Sequence, residues 1–360
     1  MSIEIFELSD HGNESWDELV KLSSTSTVHH TIKYRNFLTN FLIGSKSKYL
    51  CIYSDKKMVA VLPMFLKDGP FGQIANSLPF FGSHGSLIWN PLHNVSTEVK
   101  QEVYCSVLQS ILKNQSLSSM TFIDPLFDTQ QCFQADGYTH LNTSRIGQYS
   151  RYQRKLDKEK GNFDILDSLS PKKKWDIKKA QEFDFKISRE TSESILFELF
   201  NLHKNNMEFI GGKFKTFDVF QSISTAFKPE DDYLVYIAKL DGEAVAGLCL
   251  LFHNKQVEYF IPAVEPKFRS TQVLSLLIYT ALQESLLDRD ITIWNWGGTW
   301  NTQKGVHKFK QSWGAIEKTY HYHTWVLNTR YHSNLVQSEI IKHYNYFYYL
   351  PFEESNRKNI

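Results

Sequence analysis

The sequence predicts an α/β (α+β) protein built from two copies of one unit, with mixed, mainly antiparallel sheets flanked by helices. Three observations predict it. A strand–turn–strand pattern occurs twice, as YLCIYSDKKMVAVLPMFL from Tyr49 and as YLVYIAKLDGEAVAGLCLLF from Tyr233. Each copy is followed by an apolar helical pattern and then a strand, in the same order. A basic, turn-containing join separates them, and 360 residues suffice for two cores of ordinary size.

The elements follow from the chain in order. In the first copy Asp55-Lys56-Lys57 aligns without a gap on Asp241-Gly242-Glu243 of the second. Val59, Ala60 and Leu62 then match Val245, Ala246 and Leu248. Alternation of this kind around such turns predicts β-hairpins. A Gly- and Pro-rich stretch, Lys67 to Pro91, is extra to the first copy. Val99, Val103, Val107, Leu108, Ile111 and Leu112 recur at helical spacing, and a strand follows at Met120 to Ile123. In the second copy a strand at Gln256 to Ile261 precedes a helix with Val273, Leu276, Leu277, Thr280, Ala281 and Leu286 on its buried side. A strand at Ile291 to Trp296 comes next.

The join, Arg145 to Lys179, holds two basic runs, RYQRKLDKEK from Arg151 and KKKWDIKKA from Lys172. Ser170-Pro171 reads as an N-cap followed by proline at the first helical position. On that helix Lys174 and Lys178 share a face by i,i+4 spacing. A charge run is ordinarily a solvated face, but the one-sided excess here also suits a patch that meets phosphate. The expected division is 1–150, 151–328 and an aromatic tail over 329–360.

Composition excludes several classes of function. Hydrophobic residues make up 42% and charged residues 22%, as in a globular protein, and a net charge of +1 recruits it to no polyanion as a whole. No DNA partner is expected. Cys51, Cys105, Cys132 and Cys249 form no CxxC pair, so neither a zinc site nor a disulfide framework is legible. Scattered cysteines of this kind suit a reducing compartment, the cytoplasm. The first ten residues do not read as a signal peptide, and no apolar run reaches membrane-spanning length.

Several segments resemble the Fem-type (FemABX) peptidyltransferases and the related acetyltransferase-like members of the GNAT superfamily. The segment WNWGGTWNTQKGVHKFKQSWGA carries the most specific likeness, through Gly297-Gly298, Gly305-Val306, Phe309-Lys310 and Trp313-Gly314. KKKWDIKKAQEF looks like the basic helix opening the family's second domain, although Lys174 and Trp175 stand where an arginine is common. HHTIKYRNFL is similar to the family's aromatic-containing first helix. The likeness runs from about Val28 to Trp325. It implies tandem GNAT-like domains, 1–150 on the acceptor side and 151–328 on the donor side, with the acceptor in a cleft. It also implies transfer of an acyl or aminoacyl group to an amine of a nucleotide-linked sugar or a cell-wall or surface-glycan precursor. The donor would be a charged tRNA or an acyl-CoA, with no permanently bound cofactor and no metal.

Direct aminolysis requires a positioned amine, removal of its proton and stabilisation of the oxyanion. Lys310 is the expected oxyanion donor, with Phe309 packing to position its loop. An acyl-CoA enzyme of this superfamily carries R/Q-x-x-G-x-G/A before a helix. The corresponding Arg269-Ser270-Thr271-Gln272-Val273-Leu274 keeps the arginine but puts Gln272 and Leu274 at the glycine positions. Arg269, Ser270, Thr271, Gln272, Gly297 and Gly298 are thus the candidate donor-binding residues. The loop NSLPFFGSHGSLIW offers an acceptor wall at Gly82, Ser83 and Gly85. His84 is its candidate base, as an ordinary histidine titrates near working pH. Lys33, Tyr34 and Arg35, with Lys174 and Lys178, are candidates for the acceptor's phosphates. Two other functions fit the same residues: an acyl-CoA-dependent N-acetyltransferase with a degenerate pyrophosphate loop, and a non-catalytic carbohydrate-binding relative. The dense aromatics of HYNYFYYLPF, from His343, suit docking either onto the body of the protein or onto a partner surface.

Overall fold

The computed structural model describes residues 2–80, 82, 84–114, 116–127, 139–152, 164–327, 339, 340 and 342–349. It divides the chain into two units, Met1–Arg145 with Thr319–Glu353, and Ile146–Lys318. The first half of the sequence runs β1 (Ile3–Glu7), α1 (Asn13–Leu22), α2 (Ile32–Phe41), β2 (Ser45–Ser47), β3 (Leu50–Ser54) and β4 (Lys57–Leu62). It continues with β5 (Phe65–Lys67), β6 (Gln73–Asn76), β7 (Ile88–Trp89), α3 (Thr97–Leu112), β8 (Leu117–Ile123) and β9 (Thr139–Arg151). The second half runs α4 (Pro171–Gln181), β10 (Lys186–Glu190), α5 (Glu193–Phe209), α6 (Phe217–Ala226), β11 (Tyr233–Leu240) and β12 (Glu243–His253). After these come β13 (Gln256–Val264), α7 (Val273–Asp288), β14 (Ile293–Thr299), α8 (Lys304–Gln311) and β15 (Ile316–Val326).

The repeat read from sequence is present in the backbone, irregularities included. Ile52 pairs with Ala60 and Tyr53 with Met58, with a bulge between them. In the second hairpin Ala238 pairs with Ala246 and Lys239 with Ala244, with the same bulge. Every number differs by 186 (238 − 52). Both turns place two successive residues at positive φ, Asp55 and Lys56 in one and Asp241 and Gly242 in the other, as a tight hairpin of this twist requires. Thr97–Leu112 and Val273–Asp288, then Leu117–Ile123 and Ile293–Thr299, correspond at a constant 176 (273 − 97). The first copy is therefore 10 residues longer (186 − 176) between hairpin and helix, within the glycine- and proline-rich region. Tyr49 and Tyr233, which open the two segments, are not equivalent: an offset of 186 puts Val235 opposite Tyr49, and β11 begins earlier.

Within the first unit, β1, β3, β4 and β7 form one antiparallel sheet. A second sheet orders β15, β8, β6, β5 and β2, with β6 and β8 parallel. The apolar stripe of α3 packs Val103, Val107, Leu108 and Leu112 against Ile52, Leu62, Met120 and Trp325. Within the second unit β10 to β13 are antiparallel, β14 joins β13 in parallel, and β9 joins β14. Helix α7 is apolar on nearly every side and buries Val273, Leu277, Ile278, Ala281 and Leu282 in this core. Thr280 is only half-buried and returns its hydroxyl to the Leu276 carbonyl.

Each unit is completed by residues from the other half of the sequence. Tyr322 and Trp325 of β15 pair with Ile123 and Met120 of β8, and Tyr149 and Arg151 of β9 pair with Asn295 and Ile293 of β14. The expected boundaries at 150 and 328 were drawn along the chain, whereas the units hand over inside strands. The aromatic tail docks on the first unit. Tyr344 donates to the Gly72 carbonyl at 2.6 Å, and Asn76 exchanges two hydrogen bonds with the Tyr348 backbone at 2.7 and 2.9 Å. Among the described residues, no helix is long and apolar enough to cross a membrane.

Candidate active site

The parallel strands β13 and β14 pair only over Gln256–Ile293, Val257–Trp294 and Glu258–Asn295, and then part. Both deform just beyond the last pair. β13 bulges at Phe260, which lies between the partners of Leu250 and Cys249. β14 shifts register between Asn295 and Gly297 as it continues along β9. Paired bulges beside a gap between strands re-aim side chains and backbone groups into that gap.

Glu258 is the last paired residue, and its carboxyl is buried. Asn295 donates to its Oε2 at 2.6 Å and in turn accepts from the Gly297 amide at 2.9 Å. Burial pushes the carboxyl up to about 8, against a smaller downward pull from the Asn295 hydrogen bond and the Lys310 charge. Such a carboxyl changes protonation in the range where amines do. Sequence patterns did not single out Glu258. A lone glutamate in an apolar strand, QVEYFIPAV, was the available signal, and only the parting of the strands gives it meaning.

Lys310 is 4% exposed. Its Nζ donates to the Gly297 carbonyl at 3.0 Å, the Gly298 carbonyl at 3.3 Å and Thr299 Oγ1 at 2.8 Å. An ammonium has three N–H groups, and these three acceptors account for them. The expected role as an oxyanion donor therefore needs revising: in this structure Lys310 holds the end of β14 in shape. Thr299 passes the restraint on to Gln148 at 2.9 Å. Gly297 and Gly298, expected to contact the donor, face Lys310 through their carbonyls.

Phe309 has a different neighbour from the one its sequence position suggests. Lys173 lies 4.9 Å from the Phe309 ring centre and 5.1 Å from that of Trp313. Its ammonium also reaches Asp176 at 2.9 Å and Ser275 at 3.2 Å. Burial lowers the Lys173 pKa, with Asp176 opposing. Ser170 caps this helix, accepting from the Lys173 amide. Of the basic run on α4, the buried lysine is thus Lys173. Lys174 is half-buried against the Asp167 carbonyl at 3.2 Å, and Lys178 is exposed.

The remaining candidates are dispersed. Arg269 stacks on Phe209 at 4.9 Å and donates to Asn206 at 2.7 Å. Ser270 is exposed, and Thr271 donates to the Phe268 carbonyl. Gln272 sits at φ +64 immediately before α7, so the backbone keeps a left-handed turn where its side chain is not glycine. In the first unit Lys33 is exposed on α2, Arg35 lies over the Tyr49 ring at 5.5 Å, and Tyr34 is wholly buried. Gly82 lies at φ +87. Gly85 passes so close to the Ser77 carbonyl that a Cβ would sit 2.1 Å from its oxygen.

His84 is not on an open turn. It is fully buried, its Nδ1 donates to the Asp124 carbonyl at 3.0 Å, and its ring faces Tyr320 at 4.6 Å. Burial, ahead of the nearby Arg145 charge, lowers its pKa to about 4, with the Asp124 carbonyl opposing. The reason for choosing it, titration near neutral pH, therefore fails. Ser83, residues 153–160 of the first basic run and Cys132 lie outside the described residues.

Residues 174–310 match the family model of the acetyltransferase (GNAT) domain. No curated protein sequence matches the chain. Among solved structures, FemX is 15% identical with a TM-score of 0.65, covering 94% of this chain and 100% of that one. A tandem GNAT protein from the clavulanic acid biosynthesis pathway is 12% identical with a TM-score of 0.54, covering 90% and 98%. A conserved protein of unknown function from Bacteroides thetaiotaomicron is 8% identical with a TM-score of 0.54, covering 90% and 100%. At such identities the likeness is one of fold. The chain therefore has the fold of the tandem-GNAT, Fem-type proteins, and its residues 174–310 match the acetyltransferase (GNAT) domain family.

Proposed function

We propose that the protein is a cytoplasmic acyltransferase that moves an acyl or aminoacyl group onto an amine of a nucleotide-linked sugar or of a cell-wall or surface-glycan precursor. The observation that carries this reading is Glu258, a buried carboxyl with its pKa near 8, standing where β13 and β14 part. The incoming amine attacks the acyl carbonyl carbon, and the ester or thioester bond breaks. Glu258 takes the proton the amine must lose and returns it to the departing oxygen or sulfur. Asn295 orients the carboxyl, and Lys310 holds the Gly297–Thr299 backbone. Within the second unit, Lys174 and Lys178 of α4 are proposed to meet the phosphates of the acceptor. The Fem-type likeness of the Phe309-Lys310 segment supports this choice of acceptor and a charged tRNA as donor.

An acyl-CoA donor is the second reading, favoured by the left-handed backbone at Gln272 ahead of α7. Arg269, Ser270, Thr271 and Gln272 would then face the donor. The test offers the purified protein charged tRNAs and acyl-CoAs in turn, with amino-sugar nucleotides and amine-bearing cell-wall precursors as acceptors, and follows products by mass spectrometry. Transfer that Glu258→Gln lowers at least a hundredfold supports the proposal. Absence of transfer from both donor classes, or undiminished transfer by Glu258→Gln, overturns it.

A further inference from the structure

The polar cluster at the end of β8 belongs to no step above. Asp124 directly follows β8 and is 3% exposed. The antiparallel register continues from Ile123–Tyr322, so Asp124 lies opposite His321. The Asp124 amide donates to the His321 carbonyl at 2.9 Å, and the His321 amide donates to Asp124 Oδ2 at 3.1 Å. His321 and His323 are two apart on β15, and in a strand that spacing puts both imidazoles on one face. His321 Nδ1 lies 3.3 Å from Oδ2, and His323 Nε2 lies 3.2 Å from Oδ1. One ligand atom from each of the three residues lies within 4.8 Å of the others.

We propose that Asp124, His321 and His323 form a site for a divalent transition metal of the zinc class. Two imidazoles and a carboxylate are a donor set that zinc takes in three-ligand sites, with a fourth position left to water. Metal–ligand bonds of about 2.0–2.2 Å at tetrahedral angles put neighbouring ligand atoms about 3.3–3.6 Å apart. Each imidazole nitrogen stands near that distance from a different oxygen of the carboxylate, farther than the usual N–H···O separation of about 2.9–3.0 Å. The carboxylate is buried, and among the described residues its side-chain ion-pair partners are these two histidines, with no lysine or arginine. Nδ1 of His323 is buried and has no hydrogen-bond partner among the described residues. The ring plane is nonetheless fixed, because His140 stacks on it at 5.6 Å and 18°. A metal here would clasp the returning strand β15 to β8 inside the first unit. It requires nothing of Glu258 or Lys310.

The test uses the full chain, stripped with chelator and dialysed. Zinc is titrated against a chromogenic chelator, and cobalt is then substituted to read its visible absorption. The wild type should bind one equivalent, give cobalt bands of four- or five-coordinate geometry, and melt at a higher temperature with zinc. Asp124→Asn and His323→Ala should each weaken binding at least a hundredfold and abolish the zinc-dependent shift in melting. If either buried variant fails to fold, His321→Ala, at a side chain 35% exposed, supplies the same comparison. Absence of a stoichiometric site in the wild type, or equal affinity in folded variants, would leave a hydrogen-bonded His–Asp–His cluster and overturn the proposal.

Discussion

Glu258 carries a charge question that decides both stability and chemistry. Its folded carboxyl keeps its proton to about pH 8, whereas its ordinary value is 4.5. Between those limits the unfolded chain has lost a proton that the folded chain retains, so stability falls as pH rises through the window and is level above it. Glu258→Gln should remove that slope and, at pH 9, stabilise the second unit by on the order of 4 kcal/mol. Urea denaturation at pH 5, 7 and 9 reads this as the difference between variant and wild type. The difference isolates Glu258 from His84, whose lowered pKa makes stability fall as pH drops from its ordinary 6.5 to about 4. Lys310 is coupled to the same carboxyl. Lys310→Met should raise the Glu258 pKa further and move the rising limb of the pH–rate profile upward by roughly one unit. It should also cost about 2–4 kcal/mol, because two carbonyls and a hydroxyl lose their shared donor. An unmoved limb with unchanged stability would remove Lys310 from the site altogether.

Among the elements, the two hairpins test the duplication most directly. They share register, bulge and turn geometry, but the second turn is Asp241-Gly242 and the first is Asp55-Lys56. Lys56 adopts φ +64, a conformation in which a Cβ crowds the following carbonyl and glycine does not. Lys56→Gly should therefore stabilise the first unit by about 0.5–1 kcal/mol, and Gly242→Lys should destabilise the second by about 1 kcal/mol. Thermal melts of the two variants should shift in opposite directions. Shifts of the same sign would mean that the turns are not equivalent. The hairpins were readable from sequence because the turn and the period-2 alternation are local. The bulges were not, since they depend on which residue stands opposite which.

At the scale of the whole molecule, the units are not consecutive pieces of chain. The first needs Thr319–Val326 beside β8 and the aromatic tail across β6. A chain ending after Leu327 should lose the contacts of Tyr344 and Tyr348 and destabilise the first unit by several kcal/mol. Asn76→Ala alone should cost about 2–3 kcal/mol for its two hydrogen bonds to the Tyr348 backbone. Residues 1–145 produced alone should not fold cooperatively, as β8 would be left with one bare edge over an apolar core. Circular dichroism melts and limited proteolysis of the three proteins check this; a stable 1–145 fragment would contradict it.

Local patterns in the sequence determined the two-fold α/β plan, the hairpins, the helices after them, the Ser170-Pro171 helix start and the likeness around Phe309-Lys310. All but the last rest on period, capping and turn chemistry within a few residues, and the last is a resemblance to a family. Three matters were decided only in three dimensions. Strand exchange placed Thr319–Val326 in the first unit, because pairing partners far apart in sequence leave no local mark. Burial reassigned side chains: His84 became a weakly basic buried imidazole, Lys173 rather than Lys174 took the aromatic seat, and Lys310 turned toward backbone carbonyls. Finally, Glu258 gained a candidate role, since a carboxyl's pKa is set by the water it loses and the charges it meets, and both depend on tertiary packing.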